Sequence, residues 1–357
     1  MAKSDAGVGG VTYDASKRAW PGELNVLAAL VIIVVAFEIL GRLFLGESFL
    51  FNTRPDVDAI FNEQRLQVII LQVSIIGIIA IGVTQVIISG GIDLSSGSIV
   101  GATAMVAMSF AQTAIVNGNP NPKAIFSAAF MDLPVIVPVV VGLGCGLIAG
   151  LINGALIAYT RIPPFIATLG MMVAARGFSR WWSKGNPISF PTEGYAAIGK
   201  GMMPVIIFIV LAVLFQLILW YTKYGKHCYA IGSNEEAARI TGIKVEHHKV
   251  LVYSIAGLLA AVAAIVLSSK NLTAQAGMGV MYELDAIAMA VIGGISLSGG
   301  RGSIIGTVLG ALIFGVIISG FTFMKLDAYY QEMVKGVIIV GAVVLDQWRQ
   351  RMRGLTR

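Results

Sequence analysis

The chain has 357 residues, 57% of them apolar and 12% charged, with 42 glycines and a formal net charge of +6. A soluble globular domain carries about twice that charged fraction, so the composition excludes one. The basic residues are scattered through polar connections and the C-terminus, which excludes a nucleic-acid footprint and suits topology signals. The two cysteines, Cys145 in an apolar run and Cys228 in a polar one, suggest no disulfide framework.

Residues 1–22 contain Gly, Ser, Asp and Lys and read as a loosely held tail. The apolar runs beyond them reach or approach the roughly 20 residues needed to cross a bilayer core. They are continuous rather than alternating, which points to helices and away from a β-barrel. Spans are expected at 24–45, 66–88, 98–116, 134–158, 164–182, 204–221, 249–268, 282–297, 303–323 and 331–347, ten in all. The fold class is therefore all-α, a polytopic membrane helix bundle whose transmembrane domain covers 23–348. The fifth span carries Arg176 and Arg180 late, and the eighth carries Glu283 and Asp285 early. An even number of spans returns both termini to one side. The excess of Lys and Arg, clearest in the tail 349–357, makes that side the cytoplasm.

One segment is echoed. Gly90-Gly91-Ile92-Asp93-Leu94-Ser95-Ser96-Gly97 and Gly293-Gly294-Ile295-Ser296-Leu297-Ser298-Gly299-Gly300 agree at six positions, each after one apolar run and before another. Gly-interrupted apolar segments in corresponding positions are the best sequence pointer to a translocation site. The pattern reads as an internal duplication with both segments on the same side, and as a source of path candidates: Asp93, Ser95, Ser296 and Ser298. Asn153 and Thr168 join them as polar groups within apolar runs, with interhelical hydrogen bonding as their other reading. Asp93 could equally cap the following helix. Gln72 and Gln85 are further polar positions of the same kind. Ionisable groups in lipid are costly and face the protein interior or water. Here they are Glu38, Asp93, Glu283, Asp285 and Lys335, the last spaced to pair with Glu332.

No catalytic set is visible. The three histidines, His227, His247 and His248, have no evident buried partner, and His247-His248 reads as a solvated pair rather than a metal site. The phosphate-cradling pattern G-x-x-x-x-G-K-[ST] has no match. If ATP powers transport, the ATPase is another polypeptide, and this chain needs a surface to receive force from it.

The polar stretch 222–248 supplies one. Within it, Asn234-Glu235-Glu236-Ala237-Ala238-Arg239 places helix formers after a capping residue, and Gly242 ends the helix. A short polar helix between two spans is either a lid on its own protein or a handle for another.

Four segments carry a specific resemblance: GGIDLSSGS at 90–98, GLINGALIAYTRIPPFIATLGMM at 150–172, KYGKHCYAIGSNEEAARITGIKV at 223–245 and YELDAIAMAVIGGISLSGGRGSIIGT at 282–307. Together they resemble the membrane permease subunits of bacterial ABC importers for monosaccharides, the ribose, xylose, arabinose and galactose permeases, with inositol permeases similar. The resemblance implies a homodimer, a separate ABC ATPase subunit holding ATP and Mg, and a periplasmic sugar-binding protein. It implies an inner-membrane location, with no cofactor and no metal in this chain. The short cytoplasmic helix would fit a groove on the ATPase, the matching positions being Gly232, Asn234, Glu235, Ala237, Ala238, Gly242 and Ile243, with Glu235, Glu236 and Arg239 as polar contacts to the ATPase. The substrate it implies is a monosaccharide or a cyclitol such as myo-inositol. An ion-coupled sugar carrier is the alternative, and a membrane-embedded enzyme a remote third.

Overall fold

The computed structural model describes residues 22–52 and 60–355. The tail expected over 1–22 lies outside these apart from Gly22, and the basic tail over 349–357 is described only to 355, as helical backbone. The helices are α1 (Gly22–Phe44), α2 (Glu63–Ile88), α3 (Ser96–Ala111), α4 (Ile136–Thr160), α5 (Pro164–Ser183), α6 (Glu193–Ala196), α7 (Met203–Tyr221), α8 (Lys223–Ser233), α9 (Glu235–Ile240), α10 (Val245–Asn271), α11 (Tyr282–Ile292), α12 (Ile304–Phe323) and α13 (Ala328–Leu355). Short 3-10 turns occur at Ala128–Phe130 and Ala197–Gly199. Four two-residue strands complete the description: β1 (Ile115–Val116) pairs with β2 (Asn119–Pro120), and β3 (Ile188–Ser189) pairs antiparallel with β4 (Thr273–Ala274).

Local chemistry accounts for the helix starts. Asn62 accepts from the Arg65 N–H before α2, and Ser303 accepts from the Gly306 N–H before α12. Prolines 164 and 204 sit in the first turns of α5 and α7, where a missing N–H costs nothing.

Each of the ten expected segments contains a helix, but among the described residues six are long and apolar enough to cross a membrane: α1, α2, α4, α7, α10 and α12. The chain is thus a multi-pass helical membrane protein, while the count of ten is not established. Two boundaries need correction. The segment expected over 98–116 stops being helical at Ala111, and 115–116 is β1. The segment expected over 282–297 stops at Ile292, because Gly294 adopts φ +90° and turns the chain. At 1.5 Å per residue α11 is only about 16 Å long, about half a bilayer core.

The bundle has two ends. At one, Ser303 bonds Glu23, the Ile305 N–H bonds Gln216, and Tyr229 bonds the Gly302 carbonyl, so α1 and α12 begin, and α7 ends, beside α8. At the other, β3 meets β4 and Gln112 bridges to Pro191. Helix α2 runs through the middle and is almost continuously buried from Val73 to Ile88. Helices α4 and α10 cross antiparallel along glycines. A Cβ added at Gly154 would lie 2.6 Å from Val250 Cα, one at Gly150 2.9 Å from Ser254 Cα, and one at Gly146 2.6 Å from Ala261 Cβ. Small residues let helices without a hydrophobic driving force pack backbone to backbone.

Candidate functional site

The stretch 222–248 folds as more than a connector. Thr222 caps α8 through the Gly225 N–H. The α8 side chains then tie it to the bundle. Tyr224 donates to Gln85 of α2 at 2.8 Å, Tyr229 donates to the Gly302 carbonyl at 2.7 Å, and Cys228 Sγ lies 3.2 Å from His248 Nε2 of α10. His248 is therefore buried with a partner, unlike exposed His247, which corrects the solvated-pair reading. Burial pushes the Cys228 thiol up to about 12, so the pair is an inert structural contact rather than a nucleophile.

Helix α9 forms as its local sequence dictates. Asn234 Oδ1 accepts from the Ala237 N–H at 2.9 Å. Gly242, at φ +89°, closes the other end, with its N–H on the Arg239 carbonyl and the Ile243 N–H on the Ala238 carbonyl. The structure divides the expected coupling residues into two groups. Ala238 is 4% exposed and packs on Ile231 and Val245, and Gly232 faces inward against the Ile88 carbonyl. Ala237, Glu236 and Asn234 face outward. Glu235 and Arg239 are exposed but occupied. Arg239 pairs with Glu246 and, at 3.4 Å, with Glu235, which also holds Lys249 at 2.7 Å. Sequence reasoning missed Ile240, which is 81% exposed at the tip of α9. Its signal was an apolar residue three after Ala237 on the solvent face of a polar helix.

The echoed segments form the same device. Helix α2 closes with Gly90 at φ +81°, its N–H on the Ile87 carbonyl and the Gly91 N–H on the Val86 carbonyl. Helix α11 closes with Gly294 at φ +90°, its N–H on Val291 and the Ile295 N–H on Ala290. These are Schellman caps, offset by one residue from the sequence match. The two breaks, expected on the same side, lie in direct contact: the Gly300 N–H donates to the Ile88 carbonyl at 2.8 Å.

Four path candidates meet inside the bundle. Ser95 donates to Asp93 through its N–H (2.8 Å) and its hydroxyl (2.6 Å), and Asn153 donates to Ser95 Oγ at 2.8 Å. Thr168 Oγ1 reaches the Ile92 and Pro164 carbonyls at 3.4 and 2.9 Å. All four are 0–1% exposed. The cap reading of Asp93 is realised, since its carboxylate accepts from Ser95, which precedes α3. Gln85 is also interior, whereas Gln72 is exposed. Ser296 is buried in the second break and Ser298 is exposed on it. Half-buried Arg176 donates to the Ala276 and Met278 carbonyls and to Ser98 Oγ (3.0–3.2 Å). Lys335 pairs with Asp285 at 3.1 Å, which replaces the helix pair with Glu332 expected from spacing. Among the described residues no group of acidic, His and Cys side chains is arranged to hold a metal ion.

A many-helix membrane bundle with paired helix breaks and a capped helix at one end is an architecture suited to a membrane permease, and the family match makes it one. Residues 66–343 match the family described as branched-chain amino acid transport system / permease component, and the chain belongs to it. Among its relatives are the ribose import permease RbsC of Bacillus subtilis, 40% identical over 91% of this chain and 92% of that protein, and RbsC of Escherichia coli K12, 35% identical over 93% and 96%. The galactose/methyl galactoside import permease MglC of E. coli K12 is 39% identical over 78% of this chain and 84% of that protein. No solved structure matches. The chain is a sugar-permease relative, not an enzyme.

Proposed function

We propose that this chain is the transmembrane subunit of an ATP-driven importer in the cytoplasmic membrane, passing a monosaccharide or a cyclitol such as myo-inositol inward. A periplasmic binding protein delivers the substrate, and two copies of the chain form the pathway. A separate ATPase pair binds ATP and Mg and docks on the α8–α9 unit, which lies in the cytoplasm with both termini. Nucleotide binding favours one arrangement of the ATPase pair, and that differential affinity supplies the free energy that rocks the helices. The ribose and galactose import names of the relatives support the substrate class.

The carrying observation is α9: a helix capped at both ends and held on α10 by ion pairs, yet leaving Glu236, Ala237 and the 81%-exposed Ile240 uncovered among the described residues. An apolar side chain centred in a polar rim is the anatomy of an interface anchor.

Reconstitution tests the reading. Vesicles holding the chain with its ATPase should take up ribose, galactose or myo-inositol only with internal ATP and the loaded binding protein. Ile240→Glu should abolish co-purification of the ATPase while the permease still inserts. Concentrative uptake by the chain alone on a proton or sodium gradient would establish the ion-coupled alternative instead.

A further inference from the structure

Gly232 sits in the last turn of α8, just before α9, at the place where both helix breaks come together. On one side is the end of α2. The Ile88 carbonyl, which has no acceptor role within its own helix end, takes the Gly300 N–H at 2.8 Å, so the first break is bonded to the second. Gly232 is wedged into that bond. A Cβ built on it would overlap the Ile88 carbonyl oxygen and lie 2.6 Å from the Gly300 nitrogen. The contact is reciprocal, since a Cβ on Gly299 would lie 2.7 Å from the Gly232 carbonyl oxygen and 3.0 Å from Gly90 Cα. One on Gly300 would meet Ser233 Cα at 2.9 Å. Three backbones thus touch without side chains between them.

The surroundings fix what such a contact can do. Tyr229, one turn before Gly232, holds the Gly302 carbonyl of the second break. Asn234, two residues after it, starts α9, which the ion pairs of Glu235 and Arg239 fasten to α10. A cleft of about 290 Å³ opens beside the contact, with Ser233, Asn234, Lys249, Ile157 and Pro164 on its walls, so the neighbouring space is not filled by packing. Side chains at an interface can turn to new rotamers and absorb a displacement. Backbone atoms in van der Waals contact cannot.

From this geometry we propose that Gly232 is the transmission point of the transporter: a displacement imposed on α9 reaches both breaks together through this backbone contact, rather than travelling only along α10. Glycine is required because any Cβ would separate the three strands of chain. The proposal rests on the ATPase-docking reading above. It makes Gly232 a positioning residue, acting on the pathway through the breaks, and not a partner-contacting one.

Gly232→Ala tests it in the reconstituted complex of permease, ATPase and binding protein. The outward face of α9 is unchanged, so the ATPase should still co-purify. Uptake should fall by about tenfold, within the range over which single residues modulate coupling between sites. ATP hydrolysis should no longer respond to loaded binding protein. Uptake within about twofold of wild type, in a complex that assembles normally, would overturn the proposal, because the coupling range above leaves a wedged Cβ no such small effect. A second measurement needs no change at 232. Spin labels at Glu236→Cys and Arg301→Cys, with Cys145 and Cys228 replaced, report the distance from α9 to the second break. It should stay constant between nucleotide-free and ATP-bound states. A change of more than about 5 Å, one helical turn, would show the two moving independently and refute the joint. If wild-type permease does not bind the ATPase at all, it is the docking reading that fails.

Discussion

An arginine inside an apolar bundle is costly unless its donors are satisfied, and Arg176 satisfies them on irregular backbone. It bonds the carbonyls of Ala276 and Met278, in the non-helical stretch that leads into α11, and the hydroxyl of Ser98 in the first turn of α3. Backbone without helical partners survives at membrane depth only where protein groups supply the bonds. Truncating the side chain orphans two carbonyls at once. Arg176→Ala should therefore lower stability by about 3 kcal/mol, read as a reduced Tm in detergent. Arg176→Lys should recover only part of it, since a single ammonium nitrogen cannot replace both Nη1, on the two carbonyls, and Nη2, on the Ser98 hydroxyl. Full stability in the Lys variant would contradict this role.

At the scale of elements, what could be read from sequence was what is local. The cap, composition and terminal glycine of α9 lie within nine residues, 234–242, and all three are realised. The two breaks were visible for the same reason. What escaped depended on partners distant in sequence. His248 meets Cys228 twenty residues away, Lys335 meets Asp285 fifty residues away, and α11 crosses α12 in backbone contact. In that crossing a Cβ on Gly310 would lie 2.6 Å from the Gly293 nitrogen. Glycines likewise look alike in sequence and differ in the fold. In α4, Gly146 backs onto Gly257 and Ala261, whereas nothing lies within 4 Å of a Cβ on Gly144. Gly146→Ala should cost about 1–3 kcal/mol by forcing α4 from α10. Gly144→Ala should be neutral or gain about 0.5 kcal/mol by removing chain entropy. Thermal unfolding of the pair separates a packing requirement from a general effect of glycine, and equal behaviour would discard the distinction.

For the whole molecule, the number of crossings turns on elements that composition alone leaves out. Helix α5 has 20 residues, about 30 Å. It begins at Pro164, on the wall of the cleft beside Asn234, and ends at Ser183, shortly before Ile188, whose strand pairs with β4 at the opposite end of the bundle. Its path therefore joins the two ends even though Arg176 and Arg180 lower its apolarity. Helix α3 climbs from the interior to Gln112 at the β3–β4 end, and α11 descends from the interior to the breaks, and non-helical chain flanks each of them. Helix α13 runs antiparallel to α12, with Gln331 near Thr322 and Lys335 over Phe314. If all four cross, the even count holds and both termini share a side. The α5 crossing is the decisive one to measure, because Arg161 and Lys184 are exposed at its two ends. With Cys145 and Cys228 replaced, Arg161→Cys should react with an impermeant maleimide only from the cytoplasmic face, and Lys184→Cys only from the outer face. Reaction of both from one face would remove α5 from the spans. The count would become odd, and the shared terminal orientation that places α9 beside an ATPase would be lost with it.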